Sequence, residues 1–190
     1  MRRLLMWNLV TLDGFFEGAQ PWDLGFHELV WGEELQRFST EQLDGADTLL
    51  FGRVTYEGMA AYWPTPEAIA GDPAVAGPMN ALPKLVFSST LGSVDWNNSR
   101  LIDEDPAAAV ARMKTEGGGD AIILASSDLS LTLAGHDLID EYRLMVNPLF
   151  LGTGKPVLQG LRADVALRLH AVRTFGNGNV LLTYRPRRAG

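Results

Sequence analysis

Short, almost wholly apolar runs recur along this chain and alternate with segments of helical pattern. Four such runs lie at residues 4–10, 47–51, 85–87 and 121–124. A strand that is apolar on both faces belongs to a sheet that helices cover on both sides. The alternation therefore predicts an α/β fold in three layers, with a central and mostly parallel sheet.

Helices are predicted between these strands. Residues 27–44 place Trp31, Leu35 and Phe38 on one face at helical spacing. Residues 53–63 form a second predicted helix that prolines end, and the Pro-, Gly- and Ala-rich stretch 64–83 is predicted as a loop. Further helices are expected at 106–116, with Asp105 as a possible cap, and at 129–134.

The character of the sequence changes to β-structure after residue 141. Strand-like segments follow at 142–151, 165–172 and 180–185, and the string GNGN at 176–179 is typical of a hairpin turn. The sheet is therefore expected to be mixed, with about eight strands and an antiparallel hairpin at its C-terminal end. Residues 1–190 are interpreted as one domain.

Composition excludes several classes of function. The 190 residues contain no cysteine and carry a formal net charge of −7. The first fact excludes thiolate chemistry and cysteine-based metal sites, and the second disfavours nucleic acid and anionic membranes as partners. No apolar run is long enough to span a membrane, and the N-terminal apolar stretch lacks a cleavage site. A cytoplasmic protein is expected.

Small and polar residues follow three of the predicted strands. Gly52, Arg53 and Thr55 follow the second strand, Ser88, Ser89 and Thr90 the third, and Ala125, Ser126 and Ser127 the fourth. Ligands of open α/β sheets bind at the carboxyl ends of the strands, where helix N-termini attract anions. Each group has an ordinary alternative as a turn or a helix cap. Together they favour a phosphate-bearing ligand.

Other motifs give no support for a different chemistry. The chain has no G-x-G-x-x-G, and the string GTGK at 152–155 lacks the first glycine and the final Ser or Thr of a phosphate loop. His27, His136 and His170 have no metal-ligand spacing, so structural or solvent-facing roles are favoured. No Ser lies in a G-x-S-x-G string, which disfavours a hydrolase.

Four strings together identify a family resemblance that spans about residues 2–185. They are VTLDGFFEG at 10–18, LLFGRVTYE at 49–57, LPKLVFSSTL at 82–91 and LIDEYRLMVNPLFLGTGKPVL at 138–158. The chain resembles the dihydrofolate reductase-like superfamily, and within it the stand-alone relatives of the RibD C-terminal domain of riboflavin biosynthesis. The resemblance implies a reductase that takes hydride from NADPH and frequently forms a homodimer.

The resemblance also assigns roles to individual residues. Gly52, Arg53 and Thr55 match phosphate contacts of the cofactor, and Ser88, Ser89 and Thr90 match the loop that meets the adenosine 2′-phosphate. The turn that carries the pyrophosphate and nicotinamide is matched by Ala125, Ser126, Ser127 and Leu129. The first strand and its loop, with Asn8 and Val10, match the region beside the nicotinamide and the substrate.

Residues in and beside that turn depart from the family pattern. The family usually has a glycine where Ala125 stands and a Gly or Ala where Ser127 stands. A Cβ at residue 125 either displaces the cofactor or is tolerated at negative φ. Asp128 would repel phosphate if it pointed inward. Weak cofactor binding is one consequence that these departures imply.

The proton donor has two candidates. Glu34 lies on the flank of the apolar face of the first predicted helix, where desolvation would raise its pKa. Pairing with Arg37 or with solvent is the alternative. Asp13 matches the L-D-G of the family, and its alternative role is to brace the turn at Gly14.

The sequence thus predicts an NADPH-dependent reductase of a small heteroaromatic, carbonyl or imine substrate. The resemblance to 5-amino-6-(5-phosphoribosylamino)uracil reductase, and with it the riboflavin-pathway substrate, is implied by the family name alone. Trp7, Trp22, Phe15 and Phe16 are expected on the substrate side, with core packing as the alternative. The rival functions are genuine dihydrofolate reduction and a non-catalytic ligand-binding or oligomerisation domain.

Overall fold

The fold was analysed in a computed structural model that describes residues 2–162 and 164–187. Its strands are β1 (Leu4–Thr11), β2 (Phe15–Glu17), β3 (Ala46–Gly52), β4 (Lys84–Phe87), β5 (Ser99–Ile102), β6 (Asp120–Leu124), β7 (Glu141–Asn147), β8 (Lys155–Pro156), β9 (Leu167–Thr174) and β10 (Val180–Pro186). Its helices are α1 (Glu33–Asp44), α2 (Arg53–Tyr62), α3 (Pro66–Gly71), α4 (Pro73–Ala81), α5 (Pro106–Glu116) and α6 (Ser127–Gly135), and Gly25–His27 forms a 3-10 helix.

Eight strands form one mixed sheet in the order β5-β4-β3-β6-β1-β7-β10-β9. The first six of these are parallel to one another, and β10 pairs antiparallel with both β7 and β9. Strands β2 and β8 pair in a small second sheet. The predicted three-layer α/β architecture with a C-terminal antiparallel hairpin is confirmed.

Alternating side chains of the parallel strands build two cores, one on each face of the sheet. Leu5 and Trp7 of β1 pack into one core with α1 and α4, whereas Leu4 and Met6 pack into the other with α5 and α6. Both faces of β1 are therefore buried, as its continuous apolar sequence requires.

Several predicted boundaries were wrong. The first helix begins at Glu33 rather than at residue 27, and Trp31 precedes it and is exposed. The stretch predicted as a loop at 64–83 contains α3 and α4, because Pro66 and Pro73 stand in the first turn, where a helix tolerates proline. Thr65 and Asp72 cap these two helices.

The antiparallel part of the sheet depends on a buried carboxylate. Glu141, at the start of β7, is 3% exposed and forms ion pairs with Arg143 at 2.6 Å and Arg185 at 2.8 Å. Burial raises the pKa of Glu141, but hydrogen bonds and charge from the two guanidinium groups outweigh it and hold the pKa below its usual value. The string DEYR at 140–143 is thus a structural element at the N-terminal end of β7.

Glu141→Gln is expected to destabilise the fold by roughly 2 kcal/mol, since it removes a buried charge from two partly buried arginines. Chemical denaturation measures this change. Glu104→Gln is the control, because Glu104 pairs with Arg112 at the exposed surface, where an ion pair contributes less than about 1 kcal/mol. Equal losses in the two variants would contradict the structural role of Glu141.

Candidate cofactor and substrate cleft

A cleft of about 760 Å³ opens at the carboxyl ends of the parallel strands. Its lining includes residues that follow β3, β4 and β6 and residues of β1 itself. In the sheet order, β4 and β1 are three strand spacings apart, which corresponds to about 14 Å. The cleft is therefore elongated across the sheet, at the edge where open α/β sheets bind ligands.

Most of the predicted cofactor residues come together in this cleft. The lining includes Asn8, Gly52, Arg53, Thr55, Ser88, Ser89, Thr90, Ala125, Ser126, Ser127 and Leu129. Val10, which is buried in β1, is outside the lining. The three strand ends, which are far apart in sequence, thus contribute to a single site.

Two helices begin at the middle of the cleft without a capping side chain. They are α2, whose N-cap residue is Gly52, and α6, whose N-cap residue is Ser126. By contrast, the side chains of Thr65, Asp72 and Asp105 cap α3, α4 and α5, although Pro106, the first residue of α5, also lines the cleft. Backbone N–H groups in an uncapped first turn, together with the helix dipole, favour an anion.

Ser126 joins these two helix N-termini. Its hydroxyl accepts a hydrogen bond from the N–H of Gly52 at 3.1 Å, and its own N–H donates to the hydroxyl of Thr55 at 3.2 Å. Thr55 keeps its hydroxyl proton free to donate. The N–H of Gly52 is therefore used within the protein, and the first-turn N–H groups beyond it carry the anion-binding character of α2.

The turn before α6 has left-handed backbone geometry. Ala125 has φ of 51° and Ser126 has φ of 43°, a region that costs an L-residue about 1 kcal/mol or more. A Cβ at this position was expected to be tolerated at negative φ. Ala125 does not meet that condition. Ala125 therefore carries the strain of a side chain at positive φ.

Ala125→Gly is expected to raise the free energy of unfolding by up to about 1 kcal/mol, because glycine occupies positive φ without steric cost. Thermal denaturation measures the change. The same substitution at the exposed Ala111 within α5 is the control and is expected to destabilise by about 1 kcal/mol. A loss of stability at both positions would contradict the strain at Ala125.

Arg53 and Lys155 are the arginine and lysine residues of the described lining. Arg53 is half-exposed and pairs with Glu57 at 3.0 Å through one terminal nitrogen, which leaves its other donors free. Lys155 lies 3.3 Å from Asp128 in the first turn of α6. The carboxylate of Asp128, a source of repulsion for phosphate, is thus partly neutralised by a neighbouring cation.

Lys155 was missed by the motif analysis. The string GTGK does not fit a phosphate loop. Its lysine nevertheless lines the cleft, because it lies on β8, which pairs with β2. The ammonium group also lies 5.7 Å from the ring of Phe16. A sequence signal for Lys155 exists only in the family string around it, because its position depends on a two-residue strand.

The 88–90 loop is organised by Ser88. Its hydroxyl accepts hydrogen bonds from the N–H groups of Thr90 at 3.1 Å and Leu91 at 3.0 Å. Ser89 and Thr90 are exposed, and all three residues of the loop line the cleft. Ser88 is therefore a turn-forming residue as well as a candidate ligand contact.

Neither candidate proton donor belongs to the cleft lining. The carboxylate of Glu34 is exposed and accepts a hydrogen bond at 2.6 Å from the N–H of Gly176 in the β9–β10 hairpin. Asp13 accepts hydrogen bonds from Thr11 and from the N–H groups of Leu151 and Gly152. Both carboxylates brace loops in this structure, and neither contacts the strand-end groups.

Asp13 has a pKa lowered to about 2, because the Thr11 hydroxyl and the two N–H groups stabilise its charged form. Since this pKa is below the value of about 3.9 in an unfolded chain, its stabilising effect is present above about pH 4 and is lost as pH falls towards 2. The loop that it holds leads directly to Lys155.

Asp13→Asn is expected to lower the melting temperature at neutral pH, and the difference from the unaltered protein should shrink as pH falls below about 4. Thermal melts between neutral and acid pH measure it. The exposed Asp95→Asn serves as the control and should show a small difference at every pH. A difference for Asp13→Asn that is independent of pH would exclude its carboxylate charge as the cause.

The far end of the cleft is aromatic. Its lining rings belong to Trp7, Phe16, Trp22, Trp31, Tyr62 and Trp63. The expectation for Trp7, Trp22 and Phe16 agrees with their placement, whereas Phe15 is outside the lining. Gly58 lets Trp22 approach α2, because a Cβ at that position would lie 1.7 Å from the indole.

His27 also lines this end, and sequence analysis assigned it no functional role. Burial lowers its pKa to about 4, so its imidazole is neutral at pH 7.

Within the described chain, no group of three or more His, Cys, Asp or Glu residues is arranged to hold a metal ion. Over the same residues, no helix has the length and apolarity needed to cross a bilayer.

A family model described as the RibD C-terminal domain matches residues 2–181. The chain belongs to this family. YyaP, an uncharacterized protein of Bacillus subtilis (strain 168), is 29% identical over 191 residues, which cover 96% of this chain and 94% of YyaP. The similarity therefore extends over nearly the whole length of both chains.

Two solved structures relate this member of the RibD C-terminal domain family to known folds. A candidate riboflavin biosynthesis protein of Shewanella sp. PV-4 is 18% identical, with a TM-score of 0.76 and coverage of 98% of this chain and 99% of that one. Dihydrofolate reductase of Enterococcus faecalis, solved with NADP(H), is 15% identical, with a TM-score of 0.63 and coverage of 98% and 97%. The fold is that of dihydrofolate reductase-like proteins.

Proposed function

We propose that this chain is an NADPH-dependent reductase that transfers a hydride to a small heteroaromatic, carbonyl or imine substrate. The observation that carries the proposal is the pair of uncapped helix N-termini that open into one cleft with Arg53 and Lys155 beside them. This donor set fits a pyrophosphate, which carries two adjacent negative charges. The family and the reductase fold of its structural neighbours support the same proposal.

The residues of the chain would hold the cofactor in three places. First-turn N–H groups of α2 and α6, with Arg53 and Lys155, would bind the pyrophosphate. Ser88, Ser89 and Thr90 would meet the adenosine side. The amide Nδ2 of Asn8 is buried without a hydrogen-bond partner among the described residues, so it is a free donor for the nicotinamide carboxamide.

NADPH would supply the hydride, and the protein would supply orientation and exclusion of water. Asn8 lies on β1 at the centre of the sheet, so it would fix the nicotinamide between the phosphate-binding middle of the cleft and its aromatic end. Trp7 and Leu9 flank it in sequence and also line the cleft. Trp7 is buried and Leu9 is partly buried, and these side chains would keep the reacting atoms away from bulk water.

The rival functions have less support. Genuine dihydrofolate reduction was considered on the basis of a carboxylate at Glu34 in the cleft, and Glu34 instead contacts the C-terminal hairpin. A non-catalytic binding domain was considered because of Ala125 and Asp128. The left-handed turn and the Lys155–Asp128 pair keep that region compatible with a phosphate.

A homodimer remains part of the proposal. Strand β9 is at the edge of the sheet, and its Leu169 and Val172 side chains are more than half exposed. An open strand edge with apolar side chains is suited to pairing with a second copy of the chain.

A fluorescence titration with NADPH, with NADH alongside, tests the proposal. Arg53→Gln is expected to weaken NADPH binding about tenfold, since a charge-assisted hydrogen bond to phosphate contributes about 1.5–3 kcal/mol. Ser88→Glu should weaken NADPH far more than NADH, because the new carboxylate would repel the 2′-phosphate.

Arg168→Gln, on the exposed edge strand β9, is the matched control and should bind both nucleotides normally. If neither NADPH nor NADH binds at millimolar concentration, the reductase proposal is overturned. Equal losses for the two nucleotides in Ser88→Glu would contradict the placement of the 2′-phosphate.

A further inference from the structure

Part of the cleft extends inward between three helices. Each helix contributes two lining side chains that are four residues apart in sequence and therefore lie on one face of that helix. We call this part of the cleft the inner branch. Its lining residues are Ser39 and Leu43 of α1, Met59 and the C-cap residue Trp63 of α2, and Val75 and Met79 of α4.

The inner branch penetrates the core on one face of the sheet. All four of its side chains from α1 and α4 are at most 3% exposed. Met59 and Trp63 are partly buried and pack against the same core. Protein interiors are close-packed, so side chains that are this deeply buried and still line the cleft mark a gap that continues inward from it.

The polar groups of the inner branch are already hydrogen-bonded within the protein. The hydroxyl of Ser39 donates to the carbonyl of Leu35 at 2.8 Å, and the indole N–H of Trp63 donates to the Sδ atom of Met59 at 3.1 Å. None of the six lining residues is charged. A cavity with such a lining offers water few partners, so it favours an apolar group instead.

Two methionines make the inner branch adaptable. Met59 and Met79 line it from different helices. Methionine is unbranched and polarizable, and its side chain fills irregular apolar spaces and adjusts to different neighbours. Rotation of these two side chains would widen the branch without separating the helices.

Trp7 of β1 lies beside the inner branch. Its ring contacts that of Phe38, the neighbour of Ser39 in α1, with centroids 5.5 Å apart. Trp7 and Asn8 each have a side-chain N–H group without a hydrogen-bond partner among the described residues. Unpartnered donors of the cleft are thus found on β1 next to the branch, whereas the polar groups inside the branch are satisfied.

We propose that the substrate is amphipathic, with a small reducible head that binds beside β1 and an apolar alkyl or aryl substituent that enters the inner branch. The indole N–H of Trp7 donates to an acceptor atom of the head. Burial of the substituent between α1, α2 and α4 contributes affinity in proportion to the apolar surface removed from water. This inference rests on the proposed reductase function and names the class of its substrate.

A series of 4-alkylbenzamides tests the inference on the full chain saturated with NADP⁺. The compounds carry a methyl, ethyl, butyl or hexyl chain on one uncharged head, and isothermal titration calorimetry measures their binding. We expect the affinity to rise about threefold for each added methylene until the branch is filled, because each methylene buries further apolar surface. Equal affinity across the series would overturn the inference.

A substitution that deepens the inner branch locates the alkyl chain. Met79→Ala is expected to increase the preference for the hexyl over the methyl compound severalfold, because it provides space for the end of the longer chain. Met113→Ala is the matched control, because it removes the same side chain from the core on the opposite face of the sheet, outside the lining. The same dependence on chain length in both variants would place the alkyl chain elsewhere and contradict the proposal.

A substitution that fills the inner branch gives an independent test if Met79→Ala does not fold. Ser39→Leu is expected to remove most of the gain from the longer chains while the methyl compound still binds. Ser39→Ala, which loses the hydroxyl without adding volume, is its control and should keep the gain. If Ser39→Leu keeps the full gain as well, the alkyl chain does not enter the branch and the inference fails.

The outcomes separate this inference from the proposed function, because the benzamide series can be repeated without nucleotide. If NADPH binds and the series shows no dependence on chain length, the inference fails and the reductase proposal stands. If the series behaves as expected and neither NADPH nor NADH binds, the reductase proposal fails and the inner branch remains a binding site for apolar groups.

Discussion

The hydrogen bonds between Ser126, Gly52 and Thr55 hold the site together. They connect the ends of β3 and β6, two adjacent strands whose helices would otherwise start independently. Because Ser126 occupies both partners at once, the first turns of α2 and α6 are held side by side. A single small hydroxyl residue thus fixes the distance between two sources of positive potential.

The same connection explains the unfavourable backbone next to it. To reach Gly52 and Thr55, the chain leaves β6 through two successive left-handed residues, Ala125 and Ser126. Strain of this kind persists where the surrounding structure determines the geometry, and it is common at ligand-binding sites. The cost at Ala125 is therefore linked to the placement of α6, and that placement creates the anion-binding face of the cleft.

Much of this arrangement was predictable from the sequence, and the limits have physical causes. Continuous apolar strands predicted a covered parallel sheet, and the strand-end rule identified most of the cleft. The α3 and α4 helices were missed because Pro66 and Pro73 end helices when internal but begin them when in the first turn. Whether such a proline ends or begins a helix depends on tertiary packing, here that of α4 against α1 and of α3 against α4, which composition does not reveal.

The acidic candidates show a second limit. A helical wheel places Glu34 on the flank of a helix, but it does not show that the β9–β10 hairpin returns to meet it. Lys155 and His27 were missed for a related reason, since each reaches the cleft on a very short element. Side chains brought together by long-range topology are poorly determined by local periodicity.

The position of β1 affects how the protein is made. This strand, near the N-terminus, lies between β6 and β7, so its register partners are residues 121–124 and 141–147. During synthesis, the apolar faces of β1 remain without their partner strands until more than a hundred further residues have emerged. Long-range parallel pairing of this kind slows folding and leaves apolar segments open to wrong association. The pairing that places Trp7 and Asn8 in the cleft therefore cannot form before β6 and β7 have been synthesised.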